Sequence, residues 1–132
     1  MFEDSKPFSG ISVNDVAAAR EFYGDRLGFA IHDSMGGLAV DLPGGAMLWV
    51  YPKPNHVAAT FTVLNFPVED IEAAVDALNV KGVNTQIYDQ HLFHTDDRGI
   101  SRGIAAGMGP DIAWFRDPAG NVLAVLKDPP RE

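Results

Sequence analysis

An internal repeat constrains this chain more than any other feature of its sequence. Val13-Asn14-Asp15-Val16-Ala17-Ala18-Ala19 is echoed by Val68-Glu69-Asp70-Ile71-Glu72-Ala73-Ala74. A strand-like run precedes each stretch, at 8–13 and 63–68, and a helical pattern follows that stops at Gly28 or Gly82. Val16, Ala19, Tyr23 and Leu27 recur at spacings of three and four, as do Ile71, Val75 and Leu78, which places each set on one helical face. Asp15 or Asn14 can cap the first helix and Asp70 the second, since a short polar side chain accepts from N–H groups that the first turn leaves unpaired. Another strand is expected in each copy, at 29–34 and 83–89. After it, LAVDLPGGAMLWVY (38–51) matches AWFRDPAGNVLAVL (113–126) about Pro43-Gly44-Gly45 and Pro118-Ala119-Gly120. Both read strand, tight turn, strand. Any one match of this kind is weak; the same order of strand, cap, helix, glycine and hairpin twice over is not.

The expected fold is therefore α+β: one domain over 1–132 built from two βαβββ modules, 8–52 and 63–127, joined by a linker at 53–62 that Pro52, Pro54 and Asn55 mark. Residues 91–109, HLFHTDDRGISRGIAAGMG, break the symmetry. They read as a long irregular insert, functional or simply a surface loop.

Ten basic against 18 acidic residues give a net charge of −8. That argues against nucleic acid and against anionic lipid, both of which need a basic surface. No apolar run approaches the roughly eighteen residues of a membrane span, and the start, MFEDSKPF, lacks a signal-peptide core. A cytoplasmic protein is the default expectation. With no cysteine, disulfides and thiolate ligands are excluded.

The order of elements, with EFYGDRLGF in the first helix and FRDPAGNVL near the end, resembles the vicinal oxygen chelate superfamily, which includes glyoxalase I, extradiol dioxygenases and bleomycin-resistance proteins. The resemblance covers about residues 8 to 127. It implies that each half curls into a half-barrel, with an inner cup and helices outside. In family enzymes a divalent metal in the cup polarises substrate oxygens. Its ligands are His, Gln or Glu on the first and last strands of each half. Carried over, those positions fall on Phe8, Trp49, Val63 and Ala124. None of the four binds a divalent cation, which wants imidazole or oxygen. A one-residue slip, which would swap the faces of a strand, brings in no His or Glu. The expectation is no metal at the family site and no cofactor, with Ala124 where a metal enzyme carries Glu.

Alternation along the strands adds Gly10 and Ser12, Met47 and Tyr51, Asn65 and Pro67, and Val122 and Leu126 to the inner face. Such an apolar, aromatic lining with a few polar groups suits a small molecule. Val63, Val122 and Leu126 read more simply as core. Trp49 and Tyr51 need a hydrogen-bond partner if buried, from the protein or from a ligand. Ser12 and Asn65 can orient a ligand or bond locally to backbone. In the insert, His91 and His94, followed by Asp96 and Asp97, make a weak two-histidine, one-carboxylate pattern. They equally suit a lid with one imidazole as general base. His32 and His56 read as surface residues. Arg98 and Arg102 read as solvated loop charges that could also meet an anionic substrate. Tyr88 and Asp89 stand at the base of the insert.

Three functions fit. The first is a binder of a small apolar or aromatic molecule, using Phe8, Ser12, Trp49, Tyr51, Val63, Asn65, Tyr88, His91, His94 and Ala124. The second is a lyase, isomerase or dioxygenase working through His91 and His94, with a non-standard metal or with acid–base chemistry alone. The third is a structural module with a filled cup. The binder ranks first, so the chain leans away from being an enzyme. The family resemblance and open sheet edges imply a homodimer.

Overall fold

Both helix caps form. The Asp15 carboxylate accepts from the Ala18 N–H at 3.1 Å and the Asp70 carboxylate from the Ala73 N–H at 3.0 Å. The helices that follow end before Gly28 and Gly82, whose φ of 80° and 79° lie in the left-handed region that glycine enters without strain. The computed structural model describes residues 1–89 and 94–128, and it divides into two compact units, Met1–Ala58 and Ala59–Glu132.

The first unit runs β1 (Ser9–Val13), α1 (Val16–Arg20), a wider π-helical continuation at Glu21–Arg26, β2 (Ile31–Ser34), β3 (Gly37–Asp41) and β4 (Met47–Pro52). Its sheet has the order β1-β4-β3-β2, with β1 parallel to β4 and the other pairs antiparallel. The widened turn accompanies burial of two adjacent aromatics, Phe22 and Tyr23, whose rings meet edge to face at 5.0 Å. With Ala19 they supply the helix's share of the core. Val13, Leu38, Val40, Leu48 and Val50 supply the sheet's. Each such aliphatic side chain contributes about 1.5–3 kcal/mol of hydrophobic burial.

The second unit runs β5 (Thr62–Pro67), α2 (Ile71–Val80), β6 (Ile100–Arg102), a short α3 (Gly103–Ala106), β7 (Asp111–Arg116) and β8 (Val122–Lys127). Its sheet order, β5-β8-β7-β6, repeats the topology of the first unit. Ile71 and Val75 of α2, with Ala113, Phe115 and Leu123, form its core. The fold is α+β, two four-stranded mixed sheets with few helices, and neither sheet closes on itself.

Two local expectations are corrected. Residues 83–89 are not a strand; the sheet's fourth strand is Ile100–Arg102, inside what reads as an irregular insert. Packing decides this. Ile100 is fully buried and pairs with Ala113. The 83–89 segment spends its polar groups locally, with Thr85 Oγ1 donating to the Arg98 carbonyl at 2.8 Å and the Gln86 N–H donating to Asn84 at 2.9 Å. Gly99 makes that close approach possible: its φ is 85°, and a Cβ there would come within 2.0 Å of the Thr85 carbonyl oxygen. The second correction is a register shift in β5 between Thr62 and Leu64. Val63 has no register partner, and Thr62 instead shares a face with Asn65.

Candidate functional site

In β4, Leu48 and Val50 are buried on one face, while Met47, Trp49 and Tyr51 are half-buried on the other. Gly10 and Ser12 of β1 lie opposite Trp49 and Tyr51 in register. A Cβ at Gly10 would touch both rings at 3.7 Å. Those rings stack on each other, with centroids 4.7 Å apart and planes 31° from parallel. Phe8, just before β1, is 48% exposed. Ser12, Trp49 and Tyr51 are thus brought to one sheet face, and Phe8 stands at its end.

The indole of Trp49 finds its partner in the protein. Its Nε1–H donates to the Ser34 carbonyl at 3.1 Å. Ser34 is on β2, so the ring reaches across β3, where Ala39 lies opposite Trp49. The second unit does the same with the residues exchanged. Trp114 on β7 lies opposite Ala124 on β8, and its Nε1–H reaches across β8 to Thr62 Oγ1 on β5 at 3.1 Å. Tyr88 packs edge to face on Trp114 at 5.2 Å. In each unit an indole bridges three strands over an alanine, because only a small side chain fits beneath it. That is why Ala124 stands in the middle of its strand, with 0% of its surface exposed.

The four positions carried over from the metal enzymes do not fit a cation. In the first unit they hold Phe8 and the stacked Trp49. In the second they hold the bulge residue Val63 and the covered Ala124; the hydroxyl that the bulge brings to this face, on Thr62, already accepts from Trp114. Among the described residues no three His, Cys, Asp or Glu side chains are grouped to hold a metal.

Of the insert histidines, His91 lies outside the described residues, and His94 is exposed with φ 50°. Asp96 is committed elsewhere: its carboxylate accepts from the Arg98 and Ile100 N–H groups, each at 2.9 Å, and from Arg102 Nε at 3.2 Å. Arg102 also donates to Glu72 on α2 at 2.8 Å, and Arg98 pairs with Asp76 at 3.4 Å. Partial burial pulls the Arg102 guanidinium pKa down, but Glu72 and Asp96 outweigh it and hold the value above the ordinary one. These arginines latch the loop to α2, where a solvated charge or an anion contact was expected. Asn65 is exposed, opposite Ala124, and Val63 and Tyr88 are half-buried.

His56, expected at the surface, is half-buried, and its Nδ1 lies 2.6 Å from Ser12 Oγ. A turn closed by the His56 N–H on the Lys53 carbonyl, 3.0 Å, carries it there. Nothing local in the sequence announces a contact 44 residues long. Trp114 was more legible: the repeat aligns it with Ala39 just as it aligns Trp49 with Ala124.

The model of the Glyoxalase/Bleomycin resistance protein/Dioxygenase superfamily matches residues 8–125. The chain belongs to that superfamily. Among solved structures, it resembles a glyoxalase/bleomycin resistance protein/dioxygenase from Alicyclobacillus acidocaldarius, with TM-score 0.68 and 17% identity over 97% of this chain and 95% of the other. It also resembles a glyoxalase family protein from Enterococcus faecalis, with TM-score 0.65 and 23% identity over 96% and 99%. An antibiotic binding protein from a Streptomyces species gives TM-score 0.60 and 20% identity over 93% and 96%. At such identities the likeness is one of fold, and fold does not fix function. No curated protein matches the chain. No helix among the described residues is long and apolar enough to cross a membrane.

Proposed function

We propose that this superfamily member binds a small aromatic molecule on the face of its first sheet, without a metal at the family position. The observation that carries the reading is the Trp49–Tyr51 stack. It is half-buried on the face away from α1, with the exposed Phe8 ring at the strand end. Aromatic side chains offer large contact area at low entropic cost. An antibiotic binding protein shares the fold, so a binder is compatible with it. A homodimer formed through the open edges β1 and β2 or β5 and β6, in the cytoplasm, belongs to the same proposal.

The test is calorimetric titration with 2-naphthol. Saturable binding near one per chain, weakened at least tenfold by Trp49→Ala and by Phe8→Ala, supports the reading. Phe8→Ala changes an exposed ring and is not expected to disturb folding. No saturable binding, or binding indifferent to both variants, refutes it.

A further inference from the structure

The loop that carries Arg98 flanks a cavity of about 410 Å³ inside the second unit. The bond from the Thr85 hydroxyl to the Arg98 carbonyl and the close approach of Gly99 to Thr85 draw residues 86–89 and 95–99 together around it. On its wall Asp96 is already engaged by Arg102 and by two backbone N–H groups. Two other polar groups are not engaged. Thr95 is only 7% exposed, and among the described residues its hydroxyl has no hydrogen-bond partner. No side-chain polar atom among those residues is both sealed from solvent and unpaired, so the Thr95 oxygen opens on the cavity that Thr95 lines. Asp97 lies exposed on the same wall and, among the described residues, pairs with no cation. We infer that this cavity binds a small protonated primary amine, its ammonium held between the Thr95 hydroxyl and the Asp97 carboxylate. The inference is independent of the aromatic face.

The chemistry of the wall selects the ligand. A buried hydroxyl without a partner costs free energy that a bound donor recovers. An ammonium group carries three donors and no acceptor, which suits a hydroxyl oxygen, a carboxylate and the side-chain carbonyl of Gln86, exposed on the same wall. Asp89 adds negative charge there, and no Lys, Arg or His is among the described lining residues. A net charge of −8 concentrates cations and repels anions. A divalent metal is a poor match, because it wants several oxygen or nitrogen ligands converging on one point, and among the described residues no three His, Cys, Asp or Glu do so. Tyr88, packed edge to face on Trp114, gives the wall an apolar part for the carbon body of the amine.

Equilibrium dialysis of the full chain at pH 7 with cyclohexylmethylamine and cyclohexylmethanol, probes of nearly equal shape of which only the first is charged, tests the assignment. The wild-type chain is expected to bind one amine saturably and to favour it about tenfold, the weight of one charge-assisted hydrogen bond. Asp97→Asn should weaken the amine about tenfold and Thr95→Val about fivefold, while Asp4→Asn, an exposed acid in the other unit, and Trp49→Ala should leave it unchanged. Thr95→Val has a second readout that needs no ligand. Removing a hydroxyl that bonds to nothing in the fold should hold or raise the urea midpoint. No saturable binding of the amine, equal affinity for the alcohol, or a loss in Asp4→Asn equal to that in Asp97→Asn overturns the inference. A clear fall of the midpoint in Thr95→Val also overturns it, because the hydroxyl would then serve the fold. Loss of the amine in Trp49→Ala overturns it too, by placing the ligand on the aromatic face.

Discussion

Replacing Asp117 should cost this protein a large part of its stability, because one carboxylate organises the whole β7–β8 turn. Its Oδ1 accepts from the Ala119 N–H at 3.0 Å and the Asn121 N–H at 2.8 Å, and its Oδ2 accepts from Asn121 Nδ2 at 2.9 Å. Asp117 and Asn121 are only 4% and 3% exposed. In Asp117→Ala the Ala119 N–H, half-buried, can turn to water and loses about 1 kcal/mol. The two Asn121 donors are buried and lose about 1.5 kcal/mol each with their Asp117 acceptor. The sum is about 4 kcal/mol, against a total of about 5–15 for a domain of this size. Urea denaturation followed by circular dichroism measures it through the midpoint.

The reciprocal exchange sharpens the case. Asp117→Asn sets two amide NH2 groups against each other, and Asn121→Asp sets two carboxylates together, so each should cost about 2 kcal/mol. The double variant restores a donor facing an acceptor and keeps Oδ1 on both backbone N–H groups. It should be more stable than the sum of the single changes by about 2 kcal/mol. An Asp117→Ala loss below about 1 kcal/mol, or a strictly additive double variant, would refute the reasoning.

Other outcomes follow from the same geometry. Ala124→Glu puts the family's acid back beside the covering indole of Trp114. It should cost about 3 kcal/mol or more and recruit no divalent ion, as metal analysis of the purified variant would verify; a stable variant with one equivalent of metal contradicts the covering role of Trp114. Gly99→Ala meets both a positive φ and the Thr85 carbonyl, so the denaturation midpoint should fall by the equivalent of at least about 1–3 kcal/mol. Arg102→Gln loosens a latch whose side chain is more than a third exposed. It should cost only about 0.5–1 kcal/mol, less in 1 M salt, and speed hydrogen exchange at 96–102; unchanged exchange would argue against the latch.

Much of this fold was written in local chemistry. Asp15 and Asp70 as caps, Gly28 and Gly82 as stops, and the Pro-Gly and Pro-Ala-Gly turns each act within a few residues, so the repeat exposed them twice. The exchange of tryptophan and alanine between the two copies was visible too, once residues 38–51 were set on 113–126. What the sequence left undecided depends on distant partners. Whether 83–89 or 100–102 becomes the fourth strand is settled by which backbone pairs with β7 and buries Ile100. The face of Thr62 is set by a bulge that alternation cannot foresee. The indole protons of Trp49 and Trp114 needed acceptors two strands away, and Ser12 met His56 only because a linker turn folds back over β1. Short-range propensities fix caps, turns and periodicity; pairing register and side-chain reach across strands exist only once the sheet has formed, and the proposed binding face is made from those.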